Sequence, residues 1–381
     1  MYPRGTVGAG ETLTLDEPFN QMATQVADGT LGAGRLSGTP PQNPPYDVGS
    51  GELARDPLDV AFVNLMPDTA FLDTEEQFLG LTWEAAGQIG VPLRVWRFWI
   101  RGVPRGEAVM QHIGRSYLEI ETLIGSRVDA LIVTGTEPRA KQLDEEAFWP
   151  TLAELIQWSA DAVPSVILSC LASHAAAKLF GGVERTRLPQ KLSGVYRTDP
   201  TGDATITEGI VSPLWLPHSR ANDIRTSVLE DCGFQPALCA GESWTAMEFE
   251  YSKARYLMFQ GHPEYGRNSL LREHRRDVRR YFTGERDSYP PVPEGYLDEV
   301  GLSLLKEFAS QPTTVARDLA GMGGFPTEEV EPHIEPNWRH AAEMIYRNWV
   351  RQVVARRTDC ARSVQLPAPG IQVYAGAGIN A

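Results

Sequence analysis

Hydrophobic and polar positions along the first half of the chain follow two alternating patterns. Short runs rich in apolar and β-branched residues are typical of strands in a parallel sheet, and they occur at 58–66, 93–99, 128–135 and 165–169. Between them, apolar residues recur at helical spacing at 73–83, 109–124 and 145–160. Strands that alternate with helices predict an α/β fold, with a mostly parallel sheet and helices on both faces. Active sites of such sheets lie at the carboxyl ends of the strands.

The second half of the chain predicts less regular structure. We expect loops around short strands at 188–196 and 214–220, an antiparallel pair at 244–250 and 255–260, and helices at 268–282, 302–308 and 338–356. Residues 1–55 are rich in Gly, Pro, Thr and Asp without a sustained apolar period, which predicts a flexible N-terminal leader. A single α/β domain is then expected over residues 56–358, followed by a C-terminal tail at 359–381.

Composition narrows the class of protein. Hydrophobic residues make up 42% and charged residues 22% of the 381 residues, as in ordinary globular proteins. No run of 18 apolar residues predicts a membrane-spanning helix, and the N-terminus lacks the apolar region of a secretory signal, so we expect a cytoplasmic protein with no membrane partner. The net charge of −14 argues against nucleic-acid binding. The four cysteines and seven histidines show no zinc-binding spacing, so we expect no metal site.

The segment around Cys170 carries the clearest chemical signal. The apolar strand at 165–169 turns directly into a run of small, helix-favouring residues, and Cys170 lies at the bend. A sharp strand-to-helix turn exposes a nucleophile, and the free N–H groups and positive dipole end of the following helix favour a thiolate and an oxyanion. The alternative is a buried cysteine that packs as a small hydrophobic side chain.

A candidate base for this nucleophile lies in the segment Gly261–Tyr265. His262 can take the proton of the thiol, and Glu264 can hold the imidazole nitrogen that faces away from it, which gives a Cys–His–Glu triad. A His-x-Glu pair occurs often by chance, so it indicates a triad only in combination with the candidate nucleophile Cys170 upstream. For His174 we prefer a packing role, and His218 is a candidate substrate contact.

Several further segments occur in an order that resembles one protein family. They are Asn64–Pro67, Thr74–Leu79, Val133–Gly135, Phe148–Pro150, Trp158–Ser159, Cys170, Lys191–Tyr196, Pro217–Arg220, Gly261–Tyr265, Arg276–Asp277, Trp338–His340 and Asn348–Trp349. Their order and spacing resemble the homoserine O-acyltransferases, or homoserine transsuccinylases, over residues 58–296 and again from Trp338. The resemblance implies a flavodoxin-like fold of the class I glutamine-amidotransferase type, with a family-atypical insert around 297–335.

The resemblance also implies a reaction. Cys170 would accept the acyl group of an acyl-CoA as a thioester and pass it to the hydroxyl of L-homoserine, a ping-pong transfer in methionine biosynthesis. His262 would act as base and then as acid, and Glu264 would orient it. The remaining roles fall on Lys191, Ser219 and Arg276 as substrate-binding residues, and on Leu171, Gly135 and Thr136 as the backbone of an oxyanion hole. The only cofactor implied is the acyl-CoA co-substrate, with nothing permanently bound, and the family suggests a homodimer.

One position bears on the choice of acyl donor. In the family, the residue that matches Arg139 helps to select the donor, with glutamate associated with acetyl and glycine with succinyl groups. A cation at Arg139 can pair with the free carboxylate of a succinyl group, which favours succinyl-CoA over acetyl-CoA.

Three alternatives stay open at this point. The insert leaves room for another hydroxy-amino acid, such as serine, as the acceptor. A glutamine amidotransferase-type hydrolase shares the Cys and His-x-Glu motifs, although it usually carries glycines two residues on either side of the nucleophile, where this chain has Leu168 and Ala172. The third alternative is a catalytically silent binding or regulatory member of the same fold.

Overall fold

The computed structural model describes residues 57–202, 204–310 and 322–358. The predicted leader and tail, and residues 311–321 of the predicted insert, lie outside the described residues. Within the described ranges, none of the helices combines the length and the apolar content that a bilayer crossing requires.

The described residues form ten strands, nine α-helices and four short 3₁₀ helices. The strands are β1 (Leu58–Val63), β2 (Leu93–Trp99), β3 (Leu118–Glu119), β4 (Ala130–Val133), β5 (Ser165–Ser169), β6 (Thr186–Pro200), β7 (Leu214–Asp223), β8 (Gln235–Ala240), β9 (Ser243–Tyr251) and β10 (Ala254–Phe259). The α-helices are α1 (Asp68–Gln88), α2 (Glu107–Ser116), α3 (Trp149–Ala162), α4 (Leu171–Gly181), α5 (Thr226–Asp231), α6 (Ser269–Phe282), α7 (Glu299–Ser310), α8 (Thr327–Val330) and α9 (Arg339–Thr358). The 3₁₀ helices are Ile120–Thr122, Leu143–Glu145, Thr205–Thr207 and Glu331–His333.

All ten strands join one sheet in the order β3-β2-β1-β4-β5-β10-β9-β8-β6-β7. The first six strands in this order pair in parallel, and the last four extend the sheet through antiparallel pairs. Strands β1 and β4 are fully buried and, apart from Asp59, apolar, as expected when helices cover both faces of a parallel sheet. The predicted α/β fold is confirmed.

Alternate residues of the central strands supply two hydrophobic cores. In β1, Leu58, Val60 and Phe62 pack into one core with α1, α6 and α9. Ala61 and Val63 pack into the other core with α3 and α4. Because successive side chains of a strand point to opposite faces, each face of the sheet is covered by its own helices.

Two sequence predictions about regular structure are wrong. The segments at 188–196 and 214–220 lie within the long strands β6 and β7, which pair with each other over most of their length. Most residues of β6 are at least partly exposed, so the apolar alternation that marks a half-buried strand is missing from its sequence. The helix predicted at 109–124 ends at Ser116, because Leu118–Glu119 pairs with the edge of β2 instead. The β9–β10 pair and helices α6 and α9 are confirmed.

The carboxyl ends of the parallel strands meet at one edge of the sheet. The N–H of Thr134 donates to the carbonyl of Val63 at 3.0 Å, and the N–H of Leu65 donates to the Thr134 hydroxyl at 2.9 Å. The N–H of Cys170 donates to the carbonyl of Phe259 at 2.6 Å. These bonds bring the loops that follow β1, β4, β5 and β10 side by side.

Replacing Ile167 with alanine tests the central position of β5. Ile167 is fully buried, so the change should lower the free energy of unfolding by about 2–5 kcal/mol through lost burial and a cavity. Denaturant titration measures the change. The control is Val211→Ala at a position 84% exposed, which should shift the value by less than about 0.5 kcal/mol. Equal effects of the two variants would contradict this placement of β5.

Candidate active site

Cys170 occupies the bend between β5 and α4 in a strained backbone conformation. Its φ of 50° and ψ of −107° fall outside the regions that residues other than glycine normally adopt, at a cost of about 1–3 kcal/mol. The hydrogen bond from Cys170 to Phe259 holds the bend, and the Ser173 hydroxyl donates to the carbonyl of Leu168 at 2.7 Å. The bend brings Cys170 to the wall of a pocket at the N-terminus of α4, the arrangement of a nucleophile elbow.

His262 follows β10, the strand next to β5, and its ring is held on several sides. Its Nδ1 lies 2.7 Å from Glu264 Oε1, the ring stacks on Tyr265 at a centroid distance of 4.3 Å, and its backbone N–H donates to the Pro217 carbonyl at 2.7 Å. Because a carboxylate only accepts hydrogen bonds, the proton of this contact belongs to Nδ1. Nε2 is therefore the atom that is left to exchange a proton.

The imidazole of His262 has a raised pKa. Its Nε2 is buried and makes no hydrogen bond of good geometry within the described ranges, yet it lies close enough to the Cys170 side chain for the two groups to interact. Burial lowers the pKa of His262, but Glu264 and Cys170 outweigh burial and raise that pKa to about 10. The structure thus brings together the three residues of the predicted triad.

The loop after β4 lies directly against the Cys170 side chain. A Cβ atom added to Gly135 would lie 3.0 Å from the Cβ of Cys170, 3.2 Å from the carbonyl of Ser169 and 3.4 Å from the backbone nitrogen of Leu171. A side chain at position 135 would therefore crowd the elbow. The backbones of Gly135 and Leu171 border the same space beside the sulfur, and Thr136 lines the same pocket. These are the residues predicted for the oxyanion hole.

Glu273 on α6 is the centre of a polar cluster on the pocket wall. Its Oε2 accepts hydrogen bonds from Lys191 Nζ at 3.0 Å and from the Ser219 hydroxyl, and its Oε1 accepts one from the Tyr265 hydroxyl at 2.6 Å. Lys191 also donates to Asp277 Oδ2 at 2.9 Å. Burial raises the pKa of Glu273, but Lys191 and its other partners lower it overall to about 2. Glu273 is therefore a carboxylate at neutral pH.

Arg276 lies one turn after Glu273 on the same helix and borders the same pocket. Its contacts with Asp277 are long, at 3.4 Å. Burial lowers the pKa of Arg276, but Glu273, Asp277 and Glu137 raise it overall. With its side chain 30% exposed, this guanidinium can still bind a carboxylate in the two-pronged geometry that arginine favours.

The pocket has a volume of about 830 Å³. Its walls come from the loops after the parallel strands, from the start of β6, from β7, from α6 and from residues 285–288. The predicted residues that line it are Cys170, His262, Glu264, Lys191, Ser219, Arg276, Leu171, Gly135 and Thr136. The described parts of the predicted insert, 297–310 and 322–335, do not line it.

Two sequence expectations do not fit this geometry. Arg139 is exposed and does not line the pocket, and its backbone N–H donates to Glu146 Oε1 at 2.6 Å. His218, expected as a candidate substrate contact, is 1% exposed, and its Nδ1 accepts a hydrogen bond from Arg220 at 2.6 Å. Burial and the neighbouring Arg220 lower the pKa of His218 well below its usual value, so this ring is neutral. His174 packs on Trp244 and also lines the pocket.

Sequence reasoning missed several groups on the pocket wall. Glu273 precedes Arg276 and Asp277 by three and four residues, so helical spacing puts all three on one face of α6. This helical spacing can be seen in the sequence, although it does not show which face of α6 lines the pocket. Arg185 also lines the pocket, and no motif in the sequence marks it.

Within the described ranges, no three His, Cys, Asp or Glu side chains lie together in a way that would hold a metal ion. The pocket wall combines a thiol at a strand-to-helix turn, an imidazole held by a carboxylate, and a cluster of mixed charge on α6.

Comparison with known proteins identifies the family. A family model described as homoserine O-succinyltransferase matches residues 51–360. This chain belongs to the homoserine O-succinyltransferase family. A homoserine O-succinyltransferase of Bradyrhizobium japonicum is 35% identical over 310 residues, which cover 80% of this chain and 93% of that protein. One from Rhodopseudomonas palustris is 36% identical over 293 residues, which cover 77% of this chain and 87% of that protein.

Solved structures similar to this member of the homoserine O-succinyltransferase family include two glutamine amidotransferases. The one from Thermotoga maritima is 12% identical, with a TM-score of 0.41, and the match covers 79% of this chain and 99% of that one. The one from Methylobacillus flagellatus is 17% identical, with a TM-score of 0.40, and covers 83% and 98%.

Replacing Glu264 with glutamine should remove the charge that raises the pKa of His262. A histidine whose pKa is raised on folding contributes stability that is fully present below its unfolded pKa, near 6.5, and is lost as the pH rises through its folded pKa, about 10. The difference in free energy of unfolding between wild type and Glu264→Gln should therefore be largest near pH 6.5 and shrink towards pH 10. Denaturant titrations across this window measure it.

The matched control for this experiment is Glu250→Gln. Glu250 lies on β9 and pairs with Arg356 at 2.8 Å on the protein surface. Its effect on the free energy of unfolding should not depend on pH. A pH-independent effect of Glu264→Gln as well would contradict the electrostatic coupling of Glu264 to His262.

Proposed function

We propose that this protein transfers a succinyl group from succinyl-CoA to the hydroxyl of L-homoserine, through a thioester on Cys170. The observation that carries the proposal is that Cys170, at a strained strand-to-helix turn, and His262, with its Nδ1 2.7 Å from Glu264, lie on the wall of one pocket. Membership of the homoserine O-succinyltransferase family supports the donor and the acceptor. The resemblance adds methionine biosynthesis and a homodimer to the proposal, together with the cytoplasmic location expected from the sequence.

In the first half-reaction, His262 holds the thiol proton, and the Cys170 thiolate attacks the thioester carbonyl of succinyl-CoA. The oxyanion that forms is stabilised by the N–H of Leu171 and the turn of Gly135 and Thr136. When the tetrahedral intermediate collapses, the C–S bond to CoA breaks and His262 gives its proton to the departing sulfur. The products are free CoA and a succinyl thioester on Cys170, with a neutral imidazole.

In the second half-reaction, the neutral imidazole can act as a base. His262 takes the hydroxyl proton of homoserine while the oxygen attacks the thioester carbonyl. Collapse of this second intermediate breaks the C–S bond to Cys170 and releases the O-succinyl ester. The imidazolium and the thiolate are then restored, so every proton is accounted for over the cycle. Glu264 keeps Nδ1 protonated throughout and stabilises the imidazolium.

The cluster on α6 supports a zwitterionic acceptor. Arg276 would bind the carboxylate of homoserine, and Glu273, a carboxylate at neutral pH, would bind its ammonium group. Lys191 and Ser219 hold Glu273 in position and border the acceptor. Tyr265 links the two halves of the site, because its ring stacks on His262 and its hydroxyl bonds to Glu273.

Incubation with succinyl-CoA should add one succinyl group to Cys170, measured by mass spectrometry of the intact protein and its peptides. Cys170→Ala should abolish both the adduct and the transfer activity. Cys232→Ala removes an exposed free thiol that does not line the pocket, and should keep both. Absence of a Cys170 thioester with succinyl-CoA and with acetyl-CoA would contradict the proposal, and release of ammonia from glutamine would point to a hydrolase instead.

Arg276→Lys should weaken acceptor binding without affecting acylation. Lysine keeps the charge but loses the two-pronged geometry, so KM for homoserine should rise about 10-fold, while the rate of thioester formation from succinyl-CoA stays unchanged. Steady-state assays with homoserine and with serine measure the effect and identify the acceptor. Arg275→Lys, at an exposed position of α6 outside the pocket, is the control. An unchanged KM in Arg276→Lys would remove Arg276 from the acceptor site.

A further inference from the structure

A buried arginine without an ion-pair partner borders the pocket near Cys170. Arg185 lies between α4 and β6, is 9% exposed, and lines the pocket. Its Nε atom is buried without a hydrogen-bond partner. In residues 57–202, 204–310 and 322–358, no hydrogen bond or salt bridge is formed by this guanidinium.

The surroundings of Arg185 balance its charge only in part. Burial lowers the pKa of Arg185, and the charges of Glu146, Cys170 and Glu184 offset this incompletely. Both carboxylates are bound elsewhere: Glu146 accepts N–H groups of the loop after β4 at 2.6 and 2.8 Å, and Glu184 pairs with Lys178. Because a buried charge without a partner is costly, an anion that enters the pocket would gain a desolvated cation already in position.

Three other cations of the pocket wall are paired with carboxylates: Lys191 with Glu273 and Asp277, Arg220 with Asp223, and Arg280 with Glu137. Arg187 and Arg286 also line the pocket, but Arg187 is exposed and Arg286 is half-buried. Arg276 lies in the cluster that would bind the acceptor. Arg185 is thus a buried cation that the proposed mechanism leaves without a role.

We propose that Arg185 binds the free carboxylate at the distal end of the succinyl group while that group is bound to Cys170. This inference rests on the proposed function and deepens it, because it assigns a residue that selects a dicarboxylic acyl donor. In a succinyl thioester the distal carboxylate lies four bonds from the sulfur. A cation that lines the same pocket and interacts with Cys170 is within reach of such an arm.

Arg185 is better placed than Arg139 to bind the distal carboxylate. Arg139 is exposed and does not line the pocket, and a pair formed there would be weakened by water and salt. The carboxylate of a succinyl group would meet Arg185 at a side chain that is only 9% exposed, where a charged hydrogen bond is stronger.

The test compares the acylation rates of Cys170 by succinyl-CoA, butyryl-CoA and acetyl-CoA, followed by mass spectrometry in single turnovers without acceptor. Butyryl-CoA has the same chain length as succinyl-CoA but no distal carboxylate. Arg185→Met should lower the rate ratio of succinyl-CoA to butyryl-CoA about 10- to 100-fold, and leave the rate with acetyl-CoA close to that of wild type. Arg185→Lys should lose less of the ratio, since it keeps the charge.

Two further variants complete the experiment. Arg197→Met changes an exposed arginine on β6 that pairs with Asp199 and does not line the pocket, so the ratio should stay at its wild-type value. Arg139→Met should also leave the ratio unchanged. A normal acetyl-CoA rate in Arg185→Met and in Arg185→Lys shows that both variants are folded and have an intact nucleophile.

The remaining outcomes overturn the inference. An equal loss with all three donors would assign Arg185 to the thiolate or the oxyanion instead of the distal carboxylate. A change of the ratio in Arg139→Met, without one in Arg185→Met, would assign selectivity to Arg139. If wild type forms no thioester with any donor, the proposed function fails. If wild type prefers succinyl-CoA and Arg185→Met keeps that preference, only the role of Arg185 fails.

Discussion

The parallel pairing of β5 with β10 is the constraint on which the site depends. The register pairs Ser169 with Phe259, so the residue after β5 is Cys170 and the residues after β10 lead within three positions to His262. The carbonyl of Phe259 accepts the N–H of Cys170 at 2.6 Å, which ties the strained elbow to the strand that carries the base. A shift of register by one residue would separate the thiol from the imidazole and turn the alternating side chains to the wrong faces.

Around this pair, the charges of the pocket come from two parts of the chain. Helix α6 presents Glu273 and Arg276, which together complement a zwitterion. Arg185 lies between α4 and β6 without an anion of its own. Cys170 interacts electrostatically with both His262 and Arg185. This division of charge suits a nucleophile that first holds an acidic acyl group and then passes it to an amino acid.

Much of this arrangement could be predicted from the sequence, for a physical reason. Strands buried on both faces must be largely apolar, so β1, β4 and β5 can be seen in the sequence as apolar runs. The residues at the strand ends can be seen where those runs stop. The full length of β6 could not be predicted, because most of its residues are at least partly exposed and carry no apolar period. Cys170, His262 and Glu264 follow from strand ends and local spacing. Arg185 could not be found in this way, since its burial depends on tertiary packing alone.

The proposed mechanism depends on one proton, which Cys170 and His262 share and which resides on the imidazole. The most direct measurement is the ¹⁵N NMR spectrum of the His262 ring at neutral pH, assigned by comparison with His262→Gln. The account predicts the chemical shifts of an imidazolium, with both ring nitrogens protonated, in the free enzyme. It also predicts a neutral ring once Cys170 carries an acyl group. A neutral ring in the free enzyme would contradict the account.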